Sequence, residues 1–146
     1  PADQVHLTVM FIGDTRSSEL PNVEESVRRA ASGVGAFHLQ PRRLISLPLR
    51  GAVRQVVVET DAPASLQEIH RRLVSRLARR PAERNAGVFE PHLTLCRFAG
   101  SGALGLSVER AIAVERFLVD RVELVESVLY STGAEYRRVG AVPLQG

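Results

Sequence analysis

Two short runs repeat one arrangement of reactive side chains: Val5-His6-Leu7-Thr8-Val9 near the start and Pro91-His92-Leu93-Thr94-Leu95 in the second half. Each reads as a strand in which an imidazole and a hydroxyl are two residues apart and so share one face, while the apolar residues between them turn to the other. Two of the four histidines are used in this way. A histidine beside a threonine in one strand is ordinarily a hydrogen-bonded detail of a core. Its repetition points instead to a matched pair. With an ordinary pKa near ~6.5, one imidazole can be neutral and accept a proton while its partner is charged and donates one. The hydroxyls of Thr8 and Thr94 can donate hydrogen bonds to non-bridging phosphate oxygens and stabilise developing charge. In-line displacement at a cyclic phosphodiester, with one attacking and one leaving oxygen, suits such a set. The condition is that the two strands lie side by side.

The elements that must position these groups can be read from the pattern around them. Alternation over 5–13 predicts a strand, and Val23, Val27, Ala30 and Val34 at helical spacing predict a helix, capped by Asn22 with Glu25 three residues later. Residues 36–49 and 53–60 read as a hairpin turning near Pro48 and Gly51, its second strand β-branched enough to be central. Ser65 and Glu68 form a capping box for a second helix carrying Leu66, Ile69, Leu73 and Leu77, which Pro81 stops. A polar link at 82–87 leads into the strand 88–98, and the Gly-Ser-rich stretch 99–105 is a turn. A short helix is expected from Ser107 to about Phe117, then two last strands at 119–130 and 135–144. The order β-α-β-β-α-β-α-β-β places the chain in the α+β class as one domain.

Bulk properties bound the rest. The chain of 146 residues with 45% hydrophobic content is long enough for one compact core. No run approaches the ~18 apolar residues of a membrane span, and the first residues lack the character of a signal peptide. A cytoplasmic protein without membrane partners is expected. The single cysteine, Cys96, excludes an internal disulfide, and no Cys and His spacing suggests a metal site; no cofactor is implied. The net charge of +3 is carried by arginine, since the chain contains no lysine, and the arginines recur in pairs at 28–29, 42–43, 71–72, 79–80 and 137–138. That balance permits an anionic partner. His38, followed by no threonine two residues on, reads as a surface or structural residue, His70 as a boundary residue of its helix, Cys96 as a small core thiol, and Gly13 as part of a turn.

The sequence resembles the two-histidine (2H) phosphoesterases and, among them, the RNA 2',3'-cyclic phosphodiesterases also called 2'-5' RNA ligases. "HLTVMFIG" answers to the family's HLTL-x-FLG, "FEPHLTLCRF" to its PH-x-TL-x-R, and the closing "VDRVELVESVLYSTGAEYRRVGAVPL" to its last two strands. The resemblance implies a two-lobed fold of antiparallel sheets with flanking helices and a central groove carrying both motifs. It implies that His6 protonates the leaving 3' oxygen, that His92 activates water, and that Thr8 and Thr94 hold the phosphate. The implied product is a 2'-phosphomonoester, and 2'-5' ligation is the reverse type of transfer. RNA ends or small cyclic nucleotides are the implied partners. Arg97 matches a phosphate-binding arginine of the second motif, yet strand parity sets it on the opposite face from His92 and Thr94 unless the strand bends or ends there. The sequence opens five residues ahead of His6, without the strand and helix that the resemblance places before it. A sheet edge covered by an additional N-terminal segment or a partner chain is therefore expected. A non-catalytic RNA- or nucleotide-binding module, and a phosphodiesterase for another cyclic nucleotide metabolite, are the alternatives.

Overall fold

The computed structural model describes residues 4–79 and 89–145. The chain folds as α+β, with antiparallel sheets and two helices, and divides into two compact units that it visits alternately. One unit takes Pro1–Thr8, His38–Ala62 and Glu90–Phe117; the other takes Val9–Phe37, Pro63–Phe89 and Leu118–Gly146.

The second of these holds α1 (Leu20–Ala31), α2 (Ala64–Leu77) and the long hairpin of β7 (Arg121–Tyr130) and β8 (Gly133–Pro143). Its core is the meeting of two helical stripes: Val23, Val27, Ala30 and Ala31 of α1 with Ile69, Leu73 and Leu77 of α2, closed by Val34 and Leu144. Each fully buried large aliphatic side chain contributes roughly 1.5–3 kcal/mol relative to exposure, so this stripe is what holds the helices. The helix starts differ from expectation. Pro21 occupies the first turn of α1, where its missing N–H costs nothing, so Asn22 lies inside the helix instead of at its cap. At α2 the capping position is Pro63, which has no side-chain oxygen to offer. The acids expected in the two caps are drawn off into ion pairs one turn on: Glu25 with Arg28 and Arg29, and Glu68 with Arg71 and Arg72. Helix α2 ends at Leu77; Pro81 lies outside the described residues.

The first unit is built on a four-stranded antiparallel sheet in the order β4-β3-β2-β5, with β2 at Pro41–Leu47, β3 at Gln55–Thr60, β4 at His92–Arg97 and β5 at Glu109–Ala111. The two remaining strands, β1 (Phe37–Leu39) and β6 (Phe117–Val119), pair with each other. Strand β3 is central, as its β-branched run predicts, and Val57 at its middle is wholly buried, opposite the equally buried Ile45.

Two expected elements take another form. The strand foreseen at 5–13 is reduced to one antiparallel bridge, Leu7 with Leu93. Beyond Thr8 the chain enters the other unit, where Val9, Met10 and Ile12 pack against the helical core instead of extending a ladder. The residues foreseen as a helix over 107–117 instead supply β5 and the start of β6. Sheet pairing overrides the local tendency there: Ser46 N–H donates to the Val108 carbonyl at 2.8 Å, and Arg43 joins Glu109 at 2.7 Å. The glycine-rich stretch before β5 is a turn, as expected, and is pinned by a bridge between Val53 and Ala103. Gly102 is required in it, because a Cβ there would stand 2.7 Å from the Val53 carbonyl oxygen and its φ is +86°.

Candidate active site

Both His-x-Thr motifs belong to the same compact unit, although more than half the length of the chain lies between them. Strand β4 carries the second motif and uses one edge for β3; its other edge receives Leu7. Residues paired directly across an antiparallel bridge point to the same side of the sheet, so Leu7 and Leu93 share one face. Their neighbours His6, Thr8, His92 and Thr94 therefore project from the other. Counting outward from the bridge, His6 falls opposite Thr94 and Thr8 opposite His92, giving a quartet with the histidines on one diagonal. In a paired ladder Cβ atoms directly opposite are ~4.5–5.5 Å apart and diagonal neighbours ~7–8 Å.

The two imidazoles are held alike. His6 Nδ1 lies 2.8 Å from the carbonyl oxygen of Gln4, and His92 Nδ1 lies 3.1 Å from that of Glu90. A carbonyl oxygen only accepts, so in both rings Nδ1 carries the hydrogen and donates. Nε2 is left to exchange a proton, as a lone pair in the neutral ring or as N–H in the charged one. The same two-residue offset, His to the carbonyl of i−2, does this in each motif. His6 and Thr8 are exposed and His92 and Thr94 half-buried, so the quartet is open to solvent.

A bulge in β4 decides where the following residues point. Val57 pairs with Thr94 but Val56 pairs with Cys96, so the ladder to β3 skips Leu95 and the register shifts by one. Beyond the shift Gln55 pairs with Arg97. Gln55, Val57 and Glu59 alternate along β3 and share the face of their partners Arg97, Thr94 and His92. Arg97 thus lies on the motif face, which plain parity denied it. Cys96 moves to the opposite face and is exposed, so it is neither the core thiol expected nor a neighbour of the histidines.

Two residues that no local pattern singles out stand beside the motifs. Gln55 Oε1 accepts a hydrogen bond of 3.4 Å from the Thr94 hydroxyl. Glu59, directly opposite His92, is engaged by Arg43 at 2.6 and 3.3 Å, and Arg43 also holds Glu109. Glu59 and then Glu109 hold the Arg43 guanidinium above its ordinary pKa, chiefly through the Glu59 hydrogen bonds. Both Gln55 and Glu59 become neighbours only through sheet register. Their distance in sequence from His92 left no local signal.

The other histidines lie apart from the quartet. His38 is exposed in β1. His70 stacks on Phe89 with ring centroids 4.2 Å apart, and burial pushes its pKa down. Among the described residues no group of three or more His, Cys, Asp or Glu is placed to hold a metal ion, and no helix is long and apolar enough to cross a membrane.

Comparison with known proteins gives the family and the fold. A family model, the 2'-5' RNA ligase superfamily, matches residues 1–129. The chain belongs to that superfamily of 2H phosphoesterases. No curated protein sequence matches. Among solved structures, TT0787 of Thermus thermophilus superposes with a TM-score of 0.83 at 26% identity, covering 100% of this chain and 81% of that one. E. coli LigT complexed with 3'-AMP gives 0.75 at 21% identity, covering 100% and 79%. A crystal structure described simply as a phosphoesterase gives 0.75 at 23% identity, covering 99% and 80%.

Proposed function

We propose that the chain hydrolyses 2',3'-cyclic phosphodiesters of RNA ends or nucleotides to 2'-phosphomonoesters without a metal ion, and that the same site supports 2'-5' ligation when an RNA hydroxyl replaces water. The observation that carries this reading is the Leu7–Leu93 bridge, with His6 and His92 on one diagonal and each Nδ1 tied to a backbone carbonyl. Nε2 of neutral His92 takes a proton from water as its oxygen bonds to phosphorus. The bond from phosphorus to O3' breaks, and Nε2–H of charged His6 supplies the proton that makes the 3' hydroxyl. The phosphate remains on O2'. Thr8 and Thr94 donate to the non-bridging oxygens, Thr94 exchanging its long bond to Gln55 for the ligand, and Arg97 adds a charged donor on the same face. Solved neighbours include E. coli LigT with 3'-AMP and with ATP, which supports nucleotides as ligands of this fold.

The sign of the pH dependence separates the roles. A base must be deprotonated, so activity rises with pH through its titration, and an acid must be protonated, so activity falls. The wild-type profile should be a bell, insensitive to chelator. His92→Ala should lose the acidic limb and His6→Ala the alkaline limb, each with kcat lower by roughly 10²- to 10⁴-fold. Full activity in either variant against a cyclic mononucleotide, or recovery of only 3'-phosphate product, overturns the reading. RNA binding with no turnover by the wild-type protein would favour the binding-module alternative.

A further inference from the structure

A second positively charged feature lies in the helical unit. Between α1 and α2 a shallow cleft of about 240 Å³ is lined by Arg29, Arg71, Arg72, Arg76 and Ser75. We propose that this cleft binds the phosphate backbone of single-stranded RNA; the choice of RNA among polyanions rests on the function proposed above.

Four guanidinium groups and one hydroxyl line the cleft, and its lining includes no carboxylate or aromatic ring among the described residues. Guanidinium forks match phosphate oxygens in pairs, and a cleft without rings offers nothing for bases to stack on. It therefore grips the backbone and is indifferent to sequence. Its volume falls below the ~300–1,000 Å³ of sites that enclose a small molecule, as befits a strand laid across a surface.

The arginines are not equivalent. Arg72 is structural: Nε reaches Glu68 at 2.9 Å, and Nη1 donates to the carbonyls of Ser32 and Ala30 at 2.8 and 3.2 Å, tying the end of α1 to α2. Among the described residues Arg29 and Arg71 are held only by exposed ion pairs to Glu25 and Glu68, at 2.6 Å each. Water and salt screen such pairs so well that a phosphate can take over a guanidinium at little cost. Arg76 is exposed and makes no hydrogen bond or ion pair among the described residues. Nor would removing Arg29 and Arg71 strand an acid, since Glu25 keeps Arg28 and Glu68 keeps Arg72. Hydrogen bonds from Arg71 and then Arg72 lower the pKa of Glu68 to about 2.

The test is a salt titration of binding, by fluorescence anisotropy, to an oligouridylate that ends in a 3' hydroxyl and so has no reactive end. The triple variant Arg29→Gln/Arg71→Gln/Arg76→Gln should bind about tenfold or more weakly at low salt. The slope of log K against log salt should fall by about 2, at ~0.7 for each lost phosphate contact. Arg76→Gln alone, which removes no hydrogen bond or ion pair among the described residues, should lower the slope by about 0.7. Turnover of a cyclic mononucleotide should be unchanged in both variants. An unchanged slope in both overturns the proposal, as does an equal loss of mononucleotide turnover. Binding to phosphatidylserine vesicles, lost in the variant while RNA binding is kept, also overturns it. If the wild-type protein turns over no cyclic mononucleotide, the proposed function fails while the RNA titration still decides the cleft.

Discussion

The two His-x-Thr segments are nearly the same in sequence and very different in support. The second is a six-residue strand inside a four-stranded sheet, backed by a ladder to β3. The first is attached through the Leu7–Leu93 bridge and then leaves for the other unit, where Val9, Met10 and Ile12 pack, partly buried, against the helical core. The common requirement is local. Each motif needs a carbonyl two residues back for Nδ1 and a hydroxyl two residues on, and both supply them. A local side-chain geometry can thus be duplicated in sequence while the scaffolding that delivers it is not.

After the histidine variants, the largest expected effect tests whether that likeness extends to the chemistry. Thr8→Val and Thr94→Val each remove one donor to the phosphate and keep side-chain shape, so kcat should fall by ~10²-fold in each. A loss confined to Thr94→Val would break the equivalence and leave Thr8 a structural residue. Next comes the difference in support. Val57→Ala, at a position with 0% exposure directly across the ladder from Thr94, should cost about 2 kcal/mol in urea unfolding. Leu7→Ala, half-buried at the bridge, should cost under ~1 kcal/mol yet lower turnover, because it frees the segment carrying His6 and Thr8. If Leu7→Ala leaves turnover intact, the bridge is not what aligns the first motif. The smallest effect tests the bulge. Arg97→Ala should weaken phosphate inhibition and raise KM by roughly tenfold, as loss of a charge-assisted hydrogen bond implies, whereas Cys96→Ala should change neither. Equal effects from both would mean that β4 runs straight past Leu95.

The elements that were legible were those whose own periodicity matched their burial. Leu66, Ile69, Leu73 and Leu77 announce α2, and the β-branched run of β3 announces a central strand. The misreadings have physical reasons that no local window contains. Residues 9–12 alternate like a strand but serve a helical core, and Glu109–Ala111, inside the expected helix, pairs with β2 because that edge is open to it. The caps failed for another reason. Asn22 and Ser65 are good capping residues standing one or two positions inside helices that proline begins or precedes, and the acids meant to complete the caps found arginines one turn away.

By itself the sequence determined which reactive groups are offered, two imidazoles and two hydroxyls paired at the spacing that puts them on one face of extended chain, and the superfamily to which the chain belongs. Side-chain type and i, i+2 alternation are local properties, written in each segment independently. Tertiary structure alone decided that the two segments touch, which residues face each other, and that Arg97 joins them while Cys96 departs. Those facts depend on register between strands distant in sequence, and one skipped residue, Leu95, is enough to reverse the side on which everything after it lies.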